Sequence, residues 1–427
     1  MTVSHQTYRE ALAAELLPAM GCTEPIALAY AAAVAGARLG GYPDKISVEV
    51  SRNIVKNVKS VIVPNTGGLY GIEAAVIAGF VSRRPEAELE VLAGVTPQEC
   101  EEIGRKVKEG GIRVFQTEEP DVFFIRVTGE LKDKCVTVTI RTYHTNITEI
   151  VQNGEVVFTK ENEHVCHDAD AVEEAWSITE LIRVARTMDF GTLKPYLERQ
   201  MRCNMAIAQE GLSGKWGATI GNIILSRDPE DPAVRARAWA AAGSDARMNG
   251  CEMPVVIVSG SGNQGITASV PVVIFGDSLG KTTDETLRAL LLSDLITVAL
   301  KQGIGKLSAY CGAVSAGCGS GAGIALLKGF TDPEIESVIS NALAITSGLL
   351  CDGAKSSCAA KISMAVEGAL IAVDMVENKK VFREGDGIVQ ENADKTAAAV
   401  GRIASLGMVD TDRQIISEML HEDREKK

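Results

Sequence analysis

Apolar positions recur at helical spacing over residues 5–17 and again over 25–40, and the intervening Pro18-Ala-Met-Gly-Cys-Thr-Glu-Pro25 breaks the pattern. Thr23 is positioned to cap ahead of Glu24 and Pro25, so Cys22 sits just before a helix N-terminus. From about residue 45 the periodicity shifts to alternation, and 45–51, 89–92, 121–127, 135–142, 148–151 and 156–158 read as strands, with helices over 67–81 and 97–109 between them. Thr128-Gly-Glu and Gln152-Asn-Gly carry hairpin signals, so the last part of this unit is expected to be antiparallel. After about residue 168 nearly everything reads as helix, including 171–186, 193–209, 234–248, 284–300, 333–347 and 359–376.

The pattern predicts an α+β protein: N-terminal helices (1–42) that pack with a large all-helical domain (166–427), and a smaller α+β domain (43–165) inserted between them. Composition sharpens this picture. Glycine is abundant (41 residues) and aromatics scarce (4%), which suits closely packed helices rather than a β-sandwich.

The formal charge is −13, from 43 Lys plus Arg against 56 Asp plus Glu, and no basic stripe with interleaved aromatics is present. Nucleic acid is therefore not an expected partner. The start of the chain has no basic segment followed by an apolar one, and no apolar run reaches the length of a membrane span, so no membrane association and a cytoplasmic location are expected. In that setting the ten cysteines point to metal binding, catalysis or inert burial rather than disulfides.

The densest chemical signal is Tyr310-Cys-Gly-Ala-Val-Ser-Ala-Gly-Cys-Gly-Ser-Gly-Ala-Gly323 with Leu350-Cys-Asp-Gly-Ala-Lys-Ser-Ser-Cys358. Cys351 and Cys358 flank an Asp-Gly turn that frees the backbone to wrap a bulky inorganic centre, and Cys311 or Cys318 supplies a third thiolate from one helical hairpin earlier. Zinc is the rival, but structural zinc prefers tighter cysteine pairs; burial as small apolar side chains is the bland alternative.

Gly21-Cys-Thr-Glu-Pro25 forms a second element, in which the helix dipole is expected to favour a thiolate at Cys22. A third, Ser259-Gly-Ser-Gly-Asn-Gln-Gly-Ile266, follows a strand-like run and offers amides for a carboxylate, with Gly262, Asn263 and Gln264 as the candidates. Asn53 and Asn57 are weaker candidates for meeting a small polar substrate. His164-Val-Cys-His167 with Asp168 looks metal-like but reads better as a polar linker beside the domain junction. Pyridoxal phosphate needs a Schiff-base lysine and a phosphate cup, and neither Lys355 nor Lys215 stands in a diagnostic context.

Taken together, Gly-Cys-Thr-Glu-Pro, Gly-Ser-Gly-Asn-Gln-Gly, Cys-Gly-Ala-Val and Cys-Asp-Gly-Ala-Lys-Ser-Ser-Cys resemble the iron-sulfur L-cysteine desulfidases over essentially the whole chain. The helical part is also similar, more remotely, to the alpha chain of the iron-sulfur L-serine dehydratases. That second likeness implies three cysteines on a 4Fe-4S cluster with one iron left open, the first two ligands being about forty residues apart. Cys311 to Cys351 and Cys318 to Cys358 are both 40 apart, so spacing does not choose between them. The Gly-Phe-Thr-Asp-Pro turn falls in register for Cys311, which makes Cys311, Cys351 and Cys358 the implied ligand set. Asp352 is followed by Gly where the dehydratase pattern has Pro, and the last cysteine pair is closer here.

The resemblance implies a carbon-sulfur lyase with a 4Fe-4S cofactor that converts L-cysteine to sulfide, pyruvate and ammonia by β-elimination. Cys22 is the nominated base, and Gly262, Asn263 and Gln264, with Asn53 and Asn57, receive the amino-acid substrate. L-serine dehydratase and a non-catalytic iron-sulfur sensor or carrier are the alternatives, and the Ala/Gly-rich helical surfaces are compatible with a homodimer.

Overall fold

The computed structural model describes residues 4–119, 121–161, 176–305 and 307–421. The His164–His167 segment lies outside them.

The architecture is α+β. In chain order the first part holds α1 (His5–Glu15), β1 (Pro18–Met20), α2 (Thr23–Leu39), β2 (Lys45–Val50), α3 (Arg52–Val58), α4 (Ile72–Ser82), α5 (Pro97–Glu109), β3 (Ile112–Gln116), β4 (Phe124–Leu131), β5 (Lys134–Arg141), β6 (Ile147–Gln152) and β7 (Glu155–Thr159). The second part holds α6 (Ile178–Thr187), α7 (Lys194–Gly211), α8 (Ile220–Leu225), α9 (Pro232–Met248), β8 (Pro254–Val256), α10 (Gly262–Ser278), α11 (Thr283–Ile304) and α12 (Gly312–Leu327). It ends with α13 (Asp332–Thr346), α14 (Cys358–Glu377), α15 (Ala393–Arg402) and α16 (Val409–His421).

The larger sheet has strand order β3-β2-β4-β5-β6-β7, parallel only between β2 and β3. Its last hairpin turns at Asn153 (φ 53°) and Gly154 (φ 85°), the left-handed pair that the Asn-Gly signal predicts. The other hairpin signal is misplaced: Thr128, Gly129 and Glu130 lie within β4 and the chain turns after Leu131, because continuous pairing with β5 outweighs the local glycine. The segment expected as a strand over 89–92 begins instead in a 3-10 helix, Pro85–Glu90. Elements not anticipated include β3 at the sheet edge and α3 directly after β2.

Pro18–Met20 also became a strand, paired antiparallel with Pro254–Val256. This small ladder ties the segment leading into α2 to the segment leading into α10, two of the motifs singled out by sequence.

Small residues explain the packing. A Cβ on Gly79 of α4 would fall 2.1 Å from the Ala29 carbonyl oxygen, so α2 and α4 approach backbone to backbone. Helix α12 is buried all round, packed by α10, α11, α13 and α14. Its glycines face neighbouring backbone: a Cβ on Gly319 would come within 2.4 Å of the Ser293 carbonyl and one on Gly323 within 2.8 Å of that of Ala289. Among the described residues no helix is long and apolar enough to cross a membrane.

Candidate active site

Cys311 is the N-cap of α12 and Cys358 the first residue of α14, so each thiol stands at a helix N-terminus. Cys351 is brought to Cys311 by a short antiparallel bridge between Tyr310 and Leu350. The Cys311 amide donates to Leu349 O (3.0 Å) and the Cys351 amide to Ala309 O (2.6 Å). All three cysteines are only partly buried.

Burial pushes the Cys311 thiol up to about 12, and negative charge on Cys351 and Cys358 pushes the same way, which marks the three sulfurs as neighbours. Burial likewise raises Cys358, with Cys351 adding to it. Cys318 stands apart from this group. It lies two turns into α12, 1% exposed, and burial alone takes its thiol to about 12.

The loop between the last two cysteines is pinned from both sides. Gly353 (φ 90°) passes so close to α3 that a Cβ would sit 2.3 Å from the Lys56 carbonyl oxygen. Ser356 donates to Asn249 Oδ1 at 2.7 Å. Asp352 is clamped by Lys355 and Lys361; burial alone would raise its carboxyl, but those hydrogen bonds bring it below its ordinary value.

Cys22 joins this group through packing. With Val61 and Met248 it forms a small buried cluster against which Ala354 and Cys358 pack. Cys22, rather than Thr23, is the N-cap of α2, and the Thr23 hydroxyl donates instead to Gly260 O at 2.9 Å. The Cys22 thiol donates to Glu24 Oε2 (3.1 Å), and Asn57 Nδ2 donates to Glu24 Oε1 (3.1 Å).

The expected depression of Cys22 at the helix terminus is reversed. Burial holds the thiol well above its ordinary value, the Glu24 carboxylate adds to this, and the Arg247 guanidinium acts in the opposite direction. In this arrangement Cys22 is a thiol with a carboxylate acceptor already in place.

Gly262, Asn263 and Gln264 are the first turn of α10 rather than a loop. The turn before them is left-handed at Ser259 (φ 48°) and Gly260 (φ 76°), and a Cβ on Gly260 would meet His144 of the sheet region at 3.1 Å. The Gln264 side chain lies over Gly312, where a Cβ would be 2.8 Å from its Cδ, so α10 opens beside Cys311. Asn263 Oδ1 and Gln264 Oε1 are buried without hydrogen-bond partners among the described residues. Asn53 behaves differently from Asn57: its buried Oδ1 has no partner, and it lines a cleft of about 740 Å³ with Thr117, Ser308, Ala404 and Asp412 that includes none of the cysteines.

Two residues escaped sequence reasoning, Glu24 as the partner of Cys22 and Arg247 beside Gly262. Glu24 stood inside a motif already singled out; Arg247 carried no signal at all.

Among the described residues no three His, Cys, Asp or Glu side chains converge tightly enough to hold a single metal ion. A cluster is larger than an ion, and three soft, partly exposed sulfurs whose charges act on one another are a donor set whose chemistry suits one.

The family model described as serine dehydratase alpha chain matches residues 86–417. This chain belongs to that family. The match takes in α10, α12 and the three cysteines but not the Gly21–Pro25 motif. Full-length similarity extends further: a UPF0597 protein of Desulfitobacterium hafniense is 46% identical over 98% of this chain and 97% of its own length. Another, of Lachnoclostridium phytofermentans, is 45% identical over 96% and 98%. One from Clostridium perfringens is 33% identical over 99% and 100%.

Proposed function

We propose that this serine dehydratase alpha chain family member is an iron-sulfur-dependent lyase that breaks L-cysteine into sulfide, pyruvate and ammonia. Cys311, Cys351 and Cys358 would hold a 4Fe-4S cluster. Bound there, the cluster supplies a Lewis-acidic iron for the departing sulfur.

The observation that carries the choice of cysteine is the small cluster of Cys22, Val61 and Met248 against Ala354 and Cys358. Such apolar, sulfur-lined surroundings make desolvating a serine hydroxyl costlier than desolvating sulfur, which is soft and only weakly hydrogen-bonding. The family match favours a second reading, dehydration of L-serine by the same residues.

The chain's own part is proton handling and substrate placement. Cys22 is the base: burial favours its thiol, so substrate binding has to draw the proton off it, and Glu24 Oε2, which already accepts from Cys22 Sγ, is the acceptor in place; the thiolate then removes the substrate α-proton as the Cβ–S bond breaks. Asn57 holds Glu24 in position. The amides of Gly262, Asn263 and Gln264 face the substrate at the positive end of α10. The released aminoacrylate tautomerises and takes up water to give pyruvate and ammonia without further protein chemistry.

The test is anaerobic reconstitution with iron and sulfide, removal of the excess, and parallel measurement of sulfide and pyruvate from L-cysteine and pyruvate from L-serine. Wild type is expected to turn over cysteine, Cys351→Ala to lose both iron and turnover, and Cys22→Ser to keep iron but lose turnover. Serine turnover alone transfers the assignment to the dehydratase, and a bound cluster inert to both amino acids makes the protein a sensor or carrier.

A further inference from the structure

Arg247, the penultimate residue of α9, is 2% exposed and among the largest fully buried side chains. Among the described residues its Nε and Nη2 have no hydrogen-bond partner. A buried guanidinium with unsatisfied donors is costly unless a ligand or water meets it. Native interiors rarely leave such a group unanswered.

The surroundings say what meets it. The guanidinium lies against the first residue of α10: a Cβ on Gly262 would fall 2.4 Å from Arg247 Nε and 2.8 Å from its Cζ. No side chain caps α10, whose N-cap is Ser261, so the first-turn amides face the same place with the helix's positive end behind them. Nε and Nη2 are the edge of arginine that gives two parallel N–H bonds, matching the two oxygens of a carboxylate. Asn263 Oδ1 and Gln264 Oε1, buried at the same turn and also unpartnered, are acceptors suited to an ammonium group.

We infer that Arg247 and the first turn of α10 form the α-amino-acid subsite, with the Arg247 Nε–Nη2 edge holding the carboxylate and the side-chain oxygens of Asn263 and Gln264 receiving the amino group. Arg247 is close enough to Cys22 for its charge to act on that thiol, and Gln264 packs over Gly312 beside Cys311. A carboxylate held there leaves Cα near Cys22 and the β-substituent directed towards the three cysteines. The inference deepens the proposed function, and it reassigns the side chains of Asn263 and Gln264 from carboxylate to amine.

The experiment uses L-alanine, which has both groups and nothing to eliminate, titrated calorimetrically into the full-length cluster-free protein; ethylamine, lacking the carboxylate, is the control. Wild type is expected to bind L-alanine and not ethylamine. Arg247→Met should weaken L-alanine binding by about 100-fold, and Arg247→Lys, which keeps the charge but not the fork, by about 10-fold. L-Alanine should raise the melting temperature of wild type and not of Arg247→Met.

If Arg247→Met does not fold, Arg247→Lys and Gly262→Ala, which displaces the guanidinium while keeping it, decide the matter through the same titration. Equal L-alanine binding in wild type and the variants, equal binding of ethylamine, or no binding to wild type overturns the inference. The two readings fail separately: Arg247-dependent L-alanine binding without cysteine turnover sinks only the lyase assignment, and cysteine turnover with an unchanged KM in Arg247→Met sinks only the subsite.

Discussion

Replacing Gly353 with alanine probes the loop that carries two of the three cysteines, and Gly385 supplies a matched control. The two glycines share a backbone angle, φ 90° and 91°, but a Cβ on Gly353 would lie 2.3 Å from the Lys56 carbonyl oxygen, while one on Gly385 would meet nothing within 4 Å. An L-residue at such an angle costs about 1–2 kcal/mol at either site. The overlap at Gly353 is with backbone, which cannot rotate away, and adds about 1–3 kcal/mol. For a chain of 427 residues the unfolding entropy is about 0.9 kcal/mol per kelvin at the melting temperature. Gly385→Ala should therefore lower the melting temperature by about 1–2 °C and Gly353→Ala by about 2–5 °C. If the loop instead moves off α3 to relieve the overlap, Cys351 and Cys358 move with it, and the loss shows as iron not retained after reconstitution. Scanning calorimetry with iron analysis on both variants reads the two outcomes together. Equal melting temperatures and equal iron content would refute the claim that Gly353 pins the cysteine loop against α3.

Other perturbations address the ligand set and the interior. Cys311→Ala should abolish iron retention, whereas Cys318→Ala should keep it and lose only about 1 kcal/mol of stability, as metal analysis and thermal melting on reconstituted protein will determine. Asp294, fully buried with one hydrogen bond from Gln200 Nε2 (2.9 Å), has its carboxyl raised by burial to about 8. A carboxyl raised on folding stabilises fully below its unfolded value, and that contribution is lost as pH rises through the folded one. Wild type should thus lose up to about 4 kcal/mol relative to Asp294→Asn between pH 5 and pH 8. Parallel melting curves across that range test this, and a constant gap between the two proteins would contradict it. Asn57→Ala should lower kcat for cysteine while leaving iron content unchanged, because it frees Glu24 without touching the three cysteines.

How much of this was legible in the sequence depended on where the controlling contacts lie. The helices over 97–109 and 359–376 followed from periodicity because their apolar faces are set by local spacing. The Asn153-Gly154 turn was equally local. Strand β1 was not, since Pro18–Met20 becomes a strand only by pairing with residues more than two hundred positions away. The ambiguity between Cys311 and Cys318 had the same origin. Their spacings to the later cysteines are identical, and only the Tyr310–Leu350 bridge sets Cys311 beside Cys351 while α12 carries Cys318 into the core.

Several of the candidate residues named from the chain alone share one feature. Cys22 caps α2, Gly262 opens α10, Cys311 caps α12 and Cys358 opens α14. Each therefore follows a break in helical pattern marked by Gly, Pro, Ser or Asp, and such breaks are visible in sequence. The helix N-termini at these positions contribute positive potential from backbone alone, suited to anionic groups, although burial outweighs it at the Cys22, Cys311 and Cys358 thiols. Arg247 adds a full charge of the same sign, but it comes from the C-terminal end of α9, within an unbroken helical run where arginine is ordinary. That its Nε and Nη2 meet no hydrogen-bond partner among the described residues, while Gly262 packs against them, could be recognised only in the folded chain. The anionic groups of the proposed reaction thus sit where helices begin, and the counter-charge most specific to the substrate comes from where one ends.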